Sequence, residues 1–368
     1  SARPIHCHLL GDLMNRQWTE TLKRLAPYTP GEQAEGPDII KLNTNEHALA
    51  PSEVAVSAGR ALSIEALRRY PDPNSSVLTA AIAASEGLDV DQVFVGNGSD
   101  EVLAFAWTAF LCDDLNVPAI PEMTYTFYPV WGQLLGHGVE RIPMTEDLGI
   151  DIASMAAWEG PLVFPNPNAP TGRALSRAAV KDLLESNVER LVVVDEAYFG
   201  FGAESVVPLI KDYDNLLVTR SFSKSHALAG LRVGYGLGSA SLIEGLRRVK
   251  DSFNSYPIDA HAQAVASAAI SDIAWFTQAS LTIKTNREAL TNGLQSLGFD
   301  VLPSLANFVL AAHPRYSGEA LTHILKRRNI LVRSWSSEAL LPWVRITVGT
   351  HDQQRAVLAA LSEVLSAD

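Results

Sequence analysis

"NLLVTRSFSKSHALAGLRVGYG", residues 215–236, decides the architecture of this chain. Leu216, Leu217 and Val218 form an unbroken apolar run, which suits a strand buried on both faces rather than one with a wet side. The run gives way to hydroxyls, and Lys224 stands between Ser223 and Ser225. Arg232 follows across small and apolar residues, and "LRVGYGLG" (231–238) reads as one more strand. An ammonium at the mouth of a buried strand, with a second cation close behind, marks that strand end as a place for chemistry.

The same grammar repeats on either side. "DQVFVGNGSDE" (91–101) is a strand, a glycine turn and a helix capped by Ser99, with Asp100 and Glu101 in its first turn. "GPLVFPNPNAPTG" (160–172) is a strand entering a proline-rich loop, followed by the helix "SRAAVKDLLES" (176–186). "ERLVVVDEAYFGF" (189–201) is an apolar strand ending in carboxylates. Apolar strands separated by helices predict an α/β fold, a mostly parallel sheet covered on both faces, with ligands beyond the carboxyl ends of the strands. From about residue 257 the pattern changes. A long helical stretch (262–298) precedes "NFVLAAH", "GEALTHILKRRN", "ILVRSW", "WVRITVG" and a last helix, which predicts a smaller α+β domain. The expected division is an N-terminal arm with part of the small domain (1–48), a large domain (49–256) and a small C-terminal domain (257–368).

Bulk properties bound the function. A chain of 368 residues is too long for one typical core. Its 47% hydrophobic and 19% charged residues describe a soluble globular protein. A formal net charge of −12, with no basic stripe, argues against nucleic acid and anionic membrane surfaces as partners. No apolar run approaches the roughly 18 residues that span a bilayer. Cys7 and Cys112 cannot build a disulfide framework and show no metal-ligand spacing, so a reducing, cytoplasmic setting is expected. The nine histidines show no paired metal-binding spacing, and no metal site is expected.

The strand ends supply polar groups one at a time, and their chemistry suits pyridoxal phosphate. Its aldehyde needs a lysine, and Lys224 fits. Taken alone, Lys224 reads as a solvated loop lysine; the flanking serines and Arg232 argue otherwise. A falling ammonium pKa, from Arg232 and a pyridinium nearby, would free its amine. The phosphate needs hydroxyls, helix N-terminal amides and a cation. The pyridine nitrogen needs a carboxylate, and Asp195 emerges from a buried strand where it must be paired. A cap or a buried salt bridge is the competing role for Asp195, and packing the competing role for Tyr198. The rigid "NPNAPTG" loop offers Asn166 and Asn168. Tyr125 could stack on an aromatic cofactor or pack in the core. On "WVRITVG", Arg345 lies opposite an apolar face, where its planar fork could grip a substrate carboxylate, and Arg333 is a second candidate for that pocket.

In order along the chain, "PYTPG", "KLNTNE", "RYPDP", "GNGSDE", "NPNAPTG", "DEAYFGF", "SFSK…LAGLRVGYG" and "RITVGT" together resemble the fold-type I pyridoxal phosphate aminotransferases, and within them the histidinol-phosphate aminotransferase family. The resemblance implies that Lys224 forms the Schiff base and moves the substrate proton, and that Asp195 pairs with the pyridine nitrogen. Tyr198 and either Asn166 or Asn168 would bind the phenolate oxygen, with Tyr125 over the ring. Gly98, Ser99, Asp100, Ser221, Ser223 and Arg232 would surround the phosphate. Tyr70 would reach the cofactor of a neighbouring subunit, making a homodimer the working unit. Arg345 would take the carboxylate of the amino donor, and Arg333 and Tyr28 the substrate phosphate. Three segments depart from the family pattern: Ala169 stands where asparagine is common, Ser225-His226-Ala227 replaces Ala-Phe-Gly, and "HALAP" follows "NTNE".

The expected reaction is transamination between L-histidinol phosphate and 2-oxoglutarate, small-molecule partners both. The alternatives are an aromatic amino acid aminotransferase, a threonine-phosphate decarboxylase of similar build, and a pyridoxal phosphate-binding module without catalysis.

Overall fold

The structure, a computed structural model, describes residues 17–26, 31–33, 36, 38–112 and 116–367. Thirteen strands run through it: β1 (Ile40–Lys41), β2 (Val93–Gly96), β3 (Ala119–Pro121), β4 (Glu140–Ile142), β5 (Leu162–Pro165), β6 (Val192–Asp195), β7 (Leu216–Ser221), β8 (Gly234–Leu237), β9 (Asp300–Val301), β10 (Phe308–Ala312), β11 (Ile330–Leu331), β12 (Arg333–Ser334) and β13 (Trp343–Thr347). Seven make the large sheet, in the order β2-β8-β7-β6-β5-β3-β4. The pairs from β7 through β4 are parallel, and β8 alone runs against its two neighbours. This is the mostly parallel α/β sheet the apolar runs predict.

Both faces of the sheet are buried, and the pleat sorts the side chains. Leu162, Phe164, Val192, Val194, Leu216 and Val218 join one apolar core, while Val163, Val193 and Leu217 join another on the opposite face. Period-two alternation with no wet side explains why these strands read as continuous apolar runs. In register, Pro165, Asp195 and Thr219 lie side by side at the carboxyl ends of β5, β6 and β7.

The second sheet is antiparallel, β12-β13-β10-β9, with its own core of Leu290, Leu294, Val309, Val344 and Ile346 among others. Its strand β13 shows the predicted alternation, with Val344 and Ile346 buried and Arg345 turned the other way. Strand β1 pairs in parallel with β11 as a separate two-stranded sheet. The helical stretch expected at 262–298 is two helices, Ala260–Ser271 and Ile273–Ser296. They break at Asp272, whose carboxylate caps Trp275 N at 3.1 Å and also accepts from Ser52 Oγ. An Asp that competes for a backbone N–H this way starts a new helix rather than continuing the old one.

Candidate active site

A cavity of about 240 Å³ opens where the carboxyl ends of the large sheet face β12 and β13. Each strand end delivers one group to it. β7 runs into a single helical turn, Phe222–Ser225, because Ser221 Oγ accepts the Ser223 amide at 3.1 Å and caps it. Lys224 stands on that turn and points its Nζ into the cavity wall, donating to the Thr44 carbonyl at 2.9 Å. Desolvation by burial, then the Arg345 guanidinium, hold its pKa down to about 8; the Glu46 carboxylate works against them. The cause differs from the one the sequence suggests: Arg232 contributes, but after burial, Arg345 and Lys41.

Asp195, at the end of β6, is 4% exposed. Its carboxylate accepts from Tyr128 Oη at 3.0 Å, Thr219 Oγ1 at 3.1 Å and the Ala197 amide at 3.1 Å. Burial raises its pKa to about 6, against the lowering effect of the Tyr128 and Thr219 bonds, with Asp100 adding to the rise. Its partners are neutral donors, and among the described residues no lysine or arginine forms an ion pair with it. A buried carboxylate in that position lacks a cation.

The anion cradle lies at the next two strand ends. The helix here is Gly98–Ala106, with Asn97 at the cap position rather than Ser99, so Gly98 and Ser99 are its first residues and its first amides are unpaired by the helix itself. Arg232, at a φ of +56°, turns its guanidinium to Asp100 at 3.2 Å and to Ser223 Oγ at 3.4 Å. The space is one only glycine permits. A Cβ on Gly98 would sit 2.7 Å from Arg232 Nη2, and one on Gly234 would sit 2.2 Å from Ser99 N. Tyr125 lines the cavity and donates to Asp100 at 3.0 Å.

Arg333 and Arg345 enter from the antiparallel sheet. They are direct cross-strand partners on β12 and β13, so their side chains leave the same face. Both line the cavity. Arg345 donates to the Asn43 carbonyl at 2.8 Å, and its guanidinium lies 5.4 Å from the Phe308 ring and 5.5 Å from the Trp335 ring.

The structure corrects one expectation. Neither Asn166 nor Asn168 lines the cavity. Asn166 grips Leu175 through both ends of its amide, at 2.8 and 3.2 Å. Asn168 donates to the Met123 carbonyl at 2.9 Å and to Thr171 Oγ1 at 3.1 Å. Ala169, the residue after Asn168, faces the cavity instead. The asparagines' amide nitrogens hold the loop in shape, Asn166 through Leu175 and Asn168 through Met123 and Thr171. Tyr70 is 82% exposed, stacks on Tyr256 and does not line this cavity within one chain. Tyr28 lies outside the described residues.

Several contributors went unnamed in the sequence. Tyr128 and Thr219, which hold Asp195, are a buried tyrosine three positions beyond Tyr125 and an interior strand residue; spacing alone gives neither a role. Asn45, in the quoted "KLNTNE" segment, donates to Tyr198 Oη at 2.9 Å. Trp335 follows Arg333 by two residues, just past the end of β12, and lines the cavity with it.

Pyridoxal phosphate fits this donor set: an amine near neutrality, a buried carboxylate lacking a cation, and a glycine-lined hydroxyl and guanidinium cradle. Thr124 Oγ1 and Asn43 Oδ1, both on cavity-lining residues, are also buried without a partner among the described residues. Among the described residues no cluster could hold a metal ion, and no helix is long and apolar enough to cross a membrane.

Comparison with known proteins agrees with the geometry. The family model for aminotransferase class I and II matches residues 37–361. Histidinol-phosphate aminotransferase 1 of Bordetella parapertussis is 49% identical over 356 residues, covering 96% of this chain and 100% of that protein. Histidinol-phosphate aminotransferase 1 of Bradyrhizobium diazoefficiens is 50% identical over 352 residues, covering 96% of this chain and 100% of that protein. Among solved structures, histidinol-phosphate aminotransferase from Sinorhizobium meliloti in complex with pyridoxal-5'-phosphate superposes with a TM-score of 0.83 at 23% identity, over 95% of this chain and 98% of that one; this likeness speaks for the fold.

Proposed function

This chain belongs to the class I and II aminotransferases and, within them, to the histidinol-phosphate aminotransferases, and from that premise we propose how its residues divide the reaction. The reaction is pyridoxal phosphate-dependent transfer of the amino group of L-histidinol phosphate to 2-oxoglutarate, giving imidazole-acetol phosphate and L-glutamate in histidine biosynthesis. The bound cofactor supplies an electron sink that weakens the α C–H bond of the substrate.

Everything else is the work of this chain. Lys224 would hold the cofactor's aldehyde carbon, and its Nζ, with a pKa near 8, would take the proton from the substrate α-carbon and deliver it to that former aldehyde carbon. Asp195 pairs with the pyridine nitrogen and keeps it protonated, and Tyr128 and Thr219 hold the carboxylate for that contact. Tyr198 donates to the phenolate oxygen. Gly98, Ser99, Asp100, Ser221, Ser223 and Arg232 enclose the phosphate, with Tyr125 over the ring. Arg345 and Arg333 orient the substrate anions, the carboxylate of glutamate and the phosphate of histidinol phosphate. The observation that carries these roles is the convergence of Lys224, Asp195 and the arginine pair on one cavity.

The working unit is a homodimer in which Tyr70 reaches the partner's cofactor phosphate. Support comes from the exposure of Tyr70 together with Ile64, Leu67, Val77 and Phe253, an apolar surface that a second copy would cover. The chain divides functionally into an arm with part of the small domain (1–48), a cofactor-binding domain (49–256) and a closing domain (257–368), and it works in the cytoplasm. A panel of amino donors against 2-oxoglutarate tests the assignment. Histidinol phosphate should give the highest kcat/KM; a higher value for phenylalanine would make this an aromatic aminotransferase.

A further inference from the structure

Tyr198 is held by segments far apart in sequence. Asn45 adopts a φ of +56°, a left-handed conformation that asparagine tolerates. Thr347, at the end of β13, fixes it: Asn45 N donates to Thr347 Oγ1 at 3.1 Å, and that hydroxyl donates to Asn45 Oδ1 at 3.1 Å. Asn307 Nδ2 donates to the Asn45 carbonyl at 3.0 Å. With Oδ1 engaged by a hydroxyl donor, the nitrogen end of the Asn45 amide is the end that faces Tyr198, and it donates to Tyr198 Oη at 2.9 Å. A phenol oxygen that accepts this bond must turn its own hydrogen away from Asn45.

The rest of the wall narrows where that hydrogen can go. The Phe308 ring stands edge-on to Tyr198 with centroids 5.1 Å apart, and Ala169 and Ala306 pack with them as an apolar cluster. Ala169 brings no side-chain donor to the cavity, and the amide nitrogens of Asn166 and Asn168 donate to the Leu175 and Met123 carbonyls. The Tyr198 hydroxyl therefore carries more of the contact to a ligand oxygen than it would beside a cavity-facing asparagine.

We propose that Asn45 is a positioning residue: by donating to Tyr198 Oη it aims the Tyr198 hydroxyl hydrogen at the ring oxygen of bound pyridoxal phosphate and strengthens that donor. A hydrogen bond accepted by a hydroxyl polarises its O–H, so the two bonds reinforce each other. Thr347 and Asn307 keep Asn45 in register, which ties the quality of the cofactor contact to the seating of β13. The inference rests on the cavity taking pyridoxal phosphate.

The test is a pH titration of the visible absorption of the holoenzyme, which follows protonation of the Lys224-linked cofactor. A weaker donor leaves the ring oxygen more basic, so the proton is held to higher pH and the midpoint rises. Tyr198→Phe, which removes a hydrogen bond to a charged oxygen, should raise the midpoint by about one pH unit. Asn45→Gly, which accepts the left-handed backbone, should raise it by about half as much. The double variant should go no further than Tyr198→Phe alone, because Asn45 acts through Tyr198. Asn45→Asp keeps the side-chain shape but offers an acceptor, capturing the Tyr198 hydrogen, and should exceed Asn45→Gly. A wild-type midpoint in both Asn45 variants, or shifts that add fully in the double variant, would overturn the proposal. A folded wild-type protein that gains no visible band with added pyridoxal phosphate would instead refute the cofactor assignment, and this inference with it.

Discussion

Arg333 and Arg345 face each other across β12 and β13, and that placement makes a quantitative demand. Two guanidiniums directly opposite on one sheet face repel, so the pair is favourable only when an anion sits between or beside them. Arg345 is the better anchored of the two, tied to the Asn43 carbonyl at 2.8 Å and flanked by Phe308 and Trp335. It suits the carboxylate of the amino donor, while Arg333 suits the phosphate. Arg333→Ala removes a bidentate, charge-assisted contact in a half-buried cavity, worth roughly 2 to 4 kcal/mol. That predicts a fall of about 30-fold or more in kcat/KM for histidinol phosphate. Any activity with phenylalanine, which has no phosphate, should fall much less. Arg345→Ala should damage the glutamate half-reaction at least as severely. The assay is single-turnover and steady-state kinetics with the three donors in parallel. If Arg333→Ala lowers activity equally with phosphorylated and unphosphorylated donors, Arg333 does not read the phosphate and this division of labour is wrong.

Lys224→Ala should abolish transamination while leaving measurable non-covalent cofactor binding, and the visible band of the covalently held cofactor should vanish; turnover at the wild-type rate would remove Lys224 from its role. Asp195→Asn should lower kcat by two orders of magnitude or more, on the order of 3 kcal/mol, and a change below about threefold would leave Asp195 a structural group. In the cofactor-free protein the Asp195 carboxyl is raised from 3.8 to about 6, so between those values the folded state holds a proton the unfolded chain has released. Stability of the cofactor-free protein should therefore fall as pH rises through that window, by roughly 3 kcal/mol, and urea unfolding of Asp195→Asn should lose that slope. The Lys224 ammonium is lowered from 10.5 to about 8, so the rate at which added pyridoxal phosphate becomes attached should rise with pH around a midpoint near 8. Because Arg345 is the largest charged contributor to that lowering, Arg345→Gln should move the midpoint upward; stopped-flow absorbance at several pH values would read it.

What was legible in the sequence follows from which forces act locally. The unbroken apolar runs of β5, β6 and β7 announce burial on both faces, and period-two packing on either side of the sheet is why they do. Groups delivered directly by a strand end, such as Asp195 and Lys224, inherit their position from that strand, so their convergence on one edge could be foreseen. Side-chain direction within a loop is set by partners that sequence does not order. Asn166 and Asn168 belong to a loop whose amides are claimed by Leu175, Met123 and Thr171, so the two best-placed asparagines by sequence turn away from the cavity. Conversely, Asn45 reaches Tyr198 only because Thr347 and Asn307 converge on it from β13 and the start of β10, contacts separated by about 260 to 300 residues along the chain. The cause of the Lys224 shift has the same origin. Arg232 is its neighbour in sequence, but Arg345 is the stronger influence in space, because β13 brings it to the same cavity as the amine. An anion bound to Arg345 would cancel part of that influence and raise the basicity of Nζ. In the proposed division of roles, the arginine assigned to the substrate carboxylate thereby also adjusts the lysine assigned as base, a coupling that exists only once the two sheets face each other.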